Sequence, residues 1–116
     1  MTITFDEIHL KKQITMKTFG THNYFVYILT NKNKTVLYTG VTNELEKRLY
    51  EHKNPAADSR SFAKKYNCYF LLFYEQFQDV NQAIAREKEL KGWKREKKEK
   101  LITSFNPDWR FLNNDI

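Results

Sequence analysis

Five residues of this chain have side chains that could carry out chemistry on a phosphate ester, and they fall in three separate segments. They are Tyr27, Tyr38, Arg48, His52 and Glu87. A glutamate carboxylate is a hard oxygen ligand of the kind that Mg²⁺ accepts, and an arginine offers a planar fork to a phosphate group. A tyrosine has an ordinary pKa of about 10, so it relays a proton at neutral pH only where a nearby cation lowers that pKa.

Each of these residues also has a purely structural interpretation. The two tyrosines could be packing partners on neighbouring strands. Arg48 follows Glu44 by four residues and Glu87 precedes Lys91 by four, so both could form ordinary helix ion pairs. His52 could simply favour the dipole at a helix C-terminus. Taken singly, the structural interpretations are favoured, so the case for chemistry depends on the five residues occurring together.

Three strands and four helices are predicted to position these residues. Aromatic and β-branched residues indicate strands over 24–30, 35–41 and 69–77. A polar turn of about four residues joins the first two strands into a hairpin. Periodic apolar residues indicate helices over about 44–52, 59–66, 80–93 and 95–103. The order ββα(α)βαα predicts an α/β or α+β domain in which helices flank a small, three-stranded, mainly antiparallel sheet.

The first predicted helix would carry two of the five residues. Asn43 followed by Glu46 has the spacing of a capping box, which would start the helix. The two leucines of this helix are expected to face the core. Arg48 and His52 are four residues apart, so we expect both to share the side that faces away from the core.

The charge balance favours a polyanionic partner. The 116 residues include 20 Lys and Arg against 14 Asp and Glu, which gives a formal charge of +6. Nucleic acid, most simply DNA, is the common polyanion, and a merely soluble basic protein is the alternative. Cations are densest near the end of the chain, at Lys91, Lys94, Arg95, Lys97, Lys98 and Lys100. We expect this segment to bind phosphates, and an ordinary solvated helix face is the alternative.

The cysteine and histidine counts and the hydropathy exclude several classes of protein. Cys68 is the single cysteine, so it has no partner for an intramolecular disulfide, which fits a reducing, cytoplasmic compartment. With only three histidines besides, a Cys/His zinc site lacks its ligand set. The longest apolar stretch is far shorter than the roughly 18 residues of a membrane span. We therefore expect a cytoplasmic protein without membrane association.

The chain is expected to form one domain over 23–110, with an extension at 1–22 and a tail at 111–116. The extension has no sustained hydrophobic period and precedes a break at Gly20. A chain truncated to begin at Thr21 should therefore keep a cooperative thermal unfolding transition. Loss of that transition would show instead that the extension completes the core.

The combined pattern resembles the GIY-YIG nuclease family over roughly residues 23–110. The resemblance is strongest to the small single-domain bacterial branch, which is similar to the N-terminal nuclease domain of the bacterial excision-repair nuclease. The segments that carry it are Phe25-Val26-Tyr27, Tyr38-Thr39-Gly40, the helix with Arg48 and His52, Arg86-Glu87, and Lys91-Gly92-Trp93-Lys94-Arg95. Tyr27 stands at the tyrosine of the first family triplet, and Tyr38 and Gly40 stand at the tyrosine and glycine of the second.

The resemblance implies a metal-dependent endonuclease, either structure-selective or weakly specific, that hydrolyses DNA phosphodiesters by in-line attack of water, as in DNA repair. It implies one Mg²⁺ or Mn²⁺ ion, with Glu87 as its ligand. The residues implied to be catalytic are Tyr27, Tyr38, Arg48, His52 and Glu87. Those expected to contact nucleic acid are Gly40, where the backbone can approach a ligand closely, and Lys91, Lys94, Arg95, Lys97 and Lys98. We expect Tyr27, Tyr38, Arg48 and Glu87 to converge on one open pocket.

Two alternatives to an active nuclease stay open. The nuclease members place an asparagine about twelve residues after the metal-binding glutamate, whereas this chain has Glu99 there. A nucleic-acid-binding domain of the same fold that has lost turnover is therefore the first alternative. The second is a small protein-interaction module whose basic helix is only solvated.

Overall fold

A computed structural model describes residues 23–54 and 62–116 of the protein. The strands are β1 (Tyr24–Thr30), β2 (Leu37–Thr42) and β3 (Phe70–Phe77). The helices are α1 (Leu45–Lys53), α2 (Phe62–Lys65), α3 (Val80–Gly92) and α4 (Arg95–Phe105), followed by a short 3₁₀ turn at Asn113–Asp115. Both ladders of the sheet are antiparallel and the strand order is β2-β1-β3, which confirms the predicted fold class. None of these helices is long and apolar enough to cross a membrane.

The central strand β1 is covered on both faces. Alternate residues of a strand point to opposite sides of the sheet. On one side, Val26 and Ile28 pack into a core with residues of α3 and α4. On the other side, Tyr27 and Leu29 pack into a second core with residues of α1 and with Ala63 of α2. The central strand is therefore buried on both faces.

The β1–β2 loop is longer than predicted, because it covers residues 31–36 rather than 31–34. The side-chain oxygen of Asn31 accepts hydrogen bonds from the amides of Thr35 (2.8 Å) and Val36 (3.1 Å). These two amides are therefore satisfied within the loop, and the ladder of β2 starts only afterwards. Arg95 closes the loop from outside, since its guanidinium donates to the carbonyls of Lys34 (3.0 Å) and Thr35 (2.7 Å).

Residues 111–116, which were expected to form a tail, pack against β3 instead. The amide of Leu112 donates to the carbonyl of Leu71 (2.8 Å), and the side chain of Leu112 is buried. Asn113 accepts from the amide of Leu71 (2.8 Å) and donates to the carbonyl of Tyr69 (2.8 Å). These bonds satisfy backbone groups of β3 at the edge of the sheet. The extension at 1–22 lies outside the described residues, so its expected dispensability stays a prediction.

Cys68 is a completely buried free thiol, and burial raises its pKa to about 11. The thiolate is the reactive form, so the thiol should stay protonated and inert across the neutral range. We expect the folded protein to react very slowly with an aromatic disulfide reagent at pH 8, and to react at once when denaturant unfolds it. Rapid reaction of the native protein would contradict this burial.

Candidate active site

Helix α1 starts later than the predicted cap. Asn43 was expected to cap it, but α1 begins at Leu45, with Glu44 at the capping position and no side-chain cap bond. Thr42, the last residue of β2, is the reason: its hydroxyl oxygen accepts the amide of Glu44 at 3.1 Å. The last residue of β2 thus provides the hydrogen-bond acceptor for the amide of Glu44, the residue just before the helix.

The buried face of α1 contains His52 as well as the two leucines. Leu45 and Leu49 face the core as predicted, but the expectation that His52 lies on the outer side with Arg48 is wrong. His52 follows Leu49 by three residues, so it continues the buried stripe of the helix, and only 8% of it is exposed. Arg48 is half-buried beside this stripe, with Nη1 at 3.5 Å from the carboxylate of Glu51.

The structure brings Tyr27, Tyr38 and His52 together, and we call these three residues the tyrosine–histidine cluster. The hydroxyl of Tyr27 and Nε2 of His52 are 2.9 Å apart and share a buried hydrogen bond. The His52 ring lies 5.8 Å from the Tyr27 ring and 5.2 Å from the Tyr38 ring, measured between centroids. Tyr27 is completely buried, whereas Tyr38 is only partly covered. Tyr38 is therefore the member of the cluster that reaches the surface.

Gly40 makes room for Tyr27. The two residues are opposite each other in the β1–β2 ladder. A Cβ at position 40 would lie 2.4 Å from both Cζ and the hydroxyl oxygen of Tyr27, far inside van der Waals contact. The absent side chain thus lets the phenol ring lie flat over β2, with its hydroxyl directed to His52. The expected contact of Gly40 with nucleic acid stays a prediction beside this structural role.

Glu87 is buried in helix α3. It lies in the buried stripe of α3 with Ala83, Ile84 and Leu90, and it is itself completely buried. The three apolar residues of this stripe pack in the same core as Val26 and Ile28 of β1. Because Tyr27 and Glu87 are both inaccessible to solvent, the prediction that they line one open pocket is wrong for this structure.

The carboxylate of Glu87 is a hard oxygen ligand of the kind that a divalent ion takes. This buried group already has a cation beside it, since Nζ of Lys91 lies 3.2 Å from Oε2 of Glu87. The hydroxyl of Thr39 is a further buried oxygen, which has no hydrogen-bond partner in the described residues and lies on the α3 side of β2. In 23–54 and 62–116, no three His, Cys, Asp or Glu side chains gather at one point. Mg²⁺ commonly takes one or two carboxylates and keeps several waters, so these residues fit one ion held by Glu87.

The predicted phosphate-binding residues of α4 do not all have the same environment. Lys94 and Lys97 are exposed, and Nζ of Lys97 lies over the ring of Trp93, 4.2 Å from its centroid. Lys98 is half-buried, and its pKa is lowered by burial and then by the charges of Lys91 and Arg95. Arg95 donates to the β1–β2 loop, so its guanidinium is a structural clamp.

Asn106, which follows α4, and Glu99, within α4, both make structural contacts. Asn106 is buried, and its amide donates to the carbonyls of Leu72 (3.1 Å) and Arg110 (2.9 Å). Leu72 is the extra residue where the β1–β3 register shifts, so Asn106 satisfies a carbonyl at this irregularity. Glu99, at the position where nucleases of the family place asparagine, has Oε2 3.4 Å from Nε of Arg95.

Comparisons with known proteins identify the family of this chain. The model of the GIY-YIG catalytic domain matches residues 23–100. A UPF0213 protein of Staphylococcus saprophyticus is 34% identical over 80 residues, which are 69% of this chain and 94% of that protein. A UPF0213 protein of Clostridium perfringens is 36% identical over 80 residues, 69% of this chain and 83% of that protein. The NMR structure of a UPF0213 protein from Bacillus halodurans is 28% identical, with a TM-score of 0.48 over 75% of this chain and 89% of that one. The match to the domain model and the identities to the two UPF0213 sequences show that this chain belongs to the GIY-YIG family, among its small UPF0213 members.

Proposed function

We propose that the protein is a metal-dependent endonuclease that hydrolyses phosphodiester bonds of DNA. The observation that carries the proposal is the tyrosine–histidine cluster, in which the hydrogen-bonded pair of Tyr27 and His52 lies behind the more accessible Tyr38. A packing role alone does not require a buried phenol to share its proton with an imidazole. Membership of a family whose model is described as a catalytic domain supports the same conclusion.

Proton transfer is assigned to the tyrosine–histidine cluster. Tyr38, in its phenolate form, takes a proton from the attacking water, becomes the neutral phenol and releases that proton to solvent before the next turnover, since it is the most accessible member of the cluster. Tyr27 and His52 fix the ring of Tyr38 from behind through their packing and their hydrogen bond at 2.9 Å. Arg48, half-buried on α1, presents a planar fork that holds the phosphate and stabilises its developing charge.

The divalent ion is assigned to Glu87. An ion bound there, Mg²⁺ or Mn²⁺, would neutralise part of the negative charge that builds up on the phosphate during cleavage. The carboxylate is fixed by its buried position on α3, so its direction is set before the ion arrives. Access of the ion requires the cation of Lys91 to move from its position 3.2 Å away.

The test of the proposal is nicking of supercoiled plasmid, single-stranded DNA and branched DNA by the purified protein with Mg²⁺ or Mn²⁺. We expect cleavage that EDTA abolishes and that Glu87→Gln lowers by at least about a hundredfold, as for the loss of a group that stabilises transition-state charge. Glu96→Gln removes a well-exposed carboxylate of α4 and serves as the control. Intact DNA binding without any cleavage by the wild-type protein would overturn the proposal and identify the non-catalytic alternative.

Electrostatic binding by α4 gives a separate prediction. Changing Lys94, Lys97 and Lys98 to alanine, while Arg95 is kept to hold the β1–β2 loop, should weaken binding to duplexes of any sequence alike. If all three contact phosphates, the slope of log K against log salt should become less steep by about 2.7, at about 0.9 for each contact. Fluorescence anisotropy at several salt concentrations measures this slope. An unchanged slope would place the DNA surface elsewhere, on the side that bears Arg48.

A further inference from the structure

The pair of Glu87 and Lys91 has one member inside the protein and one that reaches the surface. The carboxylate of Glu87 is completely buried, whereas one third of the Lys91 side chain is exposed. A charge buried away from water is tolerated only when an opposite charge or strong hydrogen bonds compensate it. Lys91 supplies such a charge from one helical turn further along, and its four-carbon stem lets the ammonium leave for solvent.

The surroundings of Lys91 are positive on its outer side. Lys98 is close enough to Lys91 for their charges to interact, since the charge of Lys91 contributes to lowering the pKa of Lys98. The ammonium of Lys91 is therefore attracted inwards by Glu87 and repelled by Lys98 on the side of α4. A phosphate bound between Lys91 and Lys98 would reverse the balance, because it attracts the ammonium outwards.

We propose that Lys91 is a displaceable cation, which neutralises Glu87 while no metal is bound and moves to a nucleic-acid phosphate when a divalent ion takes its place. The inference rests on the proposed function and extends it. Binding of the divalent ion and binding of nucleic acid then favour each other. Two cations at the same carboxylate oxygen repel each other, so the ion and the ammonium compete for Glu87 in the protein alone. By reciprocity, DNA that binds Lys91 raises the affinity of Glu87 for the ion.

The chain contains a matched control for this exchange. Glu96 and Lys100 form a pair with the same four-residue spacing, 3.8 Å apart, but with side chains 84% and 78% exposed. Water compensates both charges there, so losing the lysine should not change metal binding. Both variants lose one positive charge, but only Lys91→Met leaves a buried carboxylate without its lysine. Their comparison therefore separates the effect of burying the carboxylate from the effect of losing a charge. Lys91→Arg keeps a cation in place and is expected to behave close to the wild type.

The experiment is a titration of each protein with Mn²⁺ by isothermal calorimetry, without DNA and with a phosphorothioate duplex that resists cleavage. We expect Lys91→Met to bind Mn²⁺ at least about tenfold more tightly than the wild type without DNA, since a buried carboxylate that has lost the lysine cation favours any other cation. Glu87→Gln should abolish this binding, and Lys100→Met should match the wild type. The duplex should tighten Mn²⁺ binding to the wild type but not to Lys91→Met.

Thermal unfolding with and without Mn²⁺ shows whether Lys91→Met has folded. We expect a lower melting temperature for this variant in EDTA and a larger rise with Mn²⁺ than in the wild type. Equal Mn²⁺ affinities of Lys91→Met and the wild type would overturn the inference, as would a failure of either to bind Mn²⁺ at Glu87. If the Mn²⁺ affinities change as expected but no DNA is cleaved, the result contradicts the proposed nuclease activity and still supports the exchange of Lys91 for the ion.

Discussion

Changing Tyr38 to phenylalanine should slow phosphodiester cleavage by about 10²–10⁴-fold, the usual contribution of a positioned general base. The substitution removes the hydroxyl of the most accessible member of the tyrosine–histidine cluster, and it keeps the ring that packs 5.2 Å from His52. Single-turnover cleavage of a labelled duplex at saturating protein measures the effect on the chemical step. Tyr50→Phe is the control, because Tyr50 lies on α1 with 69% of its surface exposed.

The corresponding change at Tyr27 should act differently. Tyr27→Phe removes a buried hydrogen bond to His52, so it should lower the melting temperature, at a cost of about 1–3 kcal/mol in the free energy of unfolding. Tyr38→Phe should lower the melting temperature less than Tyr27→Phe, since Tyr38 is only partly covered and its ring contacts remain. If Tyr38→Phe cleaves within about twofold of the wild-type rate, proton transfer by Tyr38 is excluded.

The elements that could be predicted from the sequence are those that depend on local patterns. The aromatic and β-branched run of β1 gave its bounds correctly, and helix α3 was predicted to within one residue at its C-terminal end. Asp79 precedes α3 and its side chain accepts the amide of Asn81, as a capping residue should. β1 and β2 form the predicted hairpin, and β3, which follows two helices, pairs with the other edge of β1, so the strand that is apolar on both faces is central.

The predictions were wrong at residues whose side chains make contacts with residues distant in the sequence. The length of the β1–β2 loop depends on Asn31 and on Arg95, which lies sixty residues further along the chain. His52 was placed on the outer side because it follows Arg48 by four residues, yet its hydrogen bond with the hydroxyl of Tyr27 makes burial of the imidazole favourable. Glu87 was assigned as a metal ligand from the family resemblance, and its complete burial does not follow from its residue type. Such contacts require the tertiary structure.

The close approach of Tyr27 to Gly40 leads to the prediction with the largest effect on stability. Gly40→Ala would place a methyl group 2.4 Å from Cζ and from the hydroxyl oxygen of Tyr27 and 2.9 Å from Cε2. The phenol cannot easily retreat, because its hydroxyl is bonded to His52 and the residue is completely buried in β1. The neighbour is thus a rigid, enclosed ring rather than the free end of a flexible side chain.

We expect Gly40→Ala to lower the free energy of unfolding by about 1–3 kcal/mol or more, the usual cost of overpacking a core. For a domain of this size each kcal/mol corresponds to roughly 4 °C or more in melting temperature, which calorimetry or circular dichroism resolves. Gly92→Ala is the matched control, since a Cβ there meets nothing within 4 Å and should leave stability unchanged or raise it slightly. Combining Gly40→Ala with Tyr27→Leu, which removes the opposing ring atoms, should cost less than the sum of the single changes. Additive costs in that cycle, or a Gly40→Ala protein that melts like the wild type, would show that Gly40 does not hold Tyr27 in the cluster.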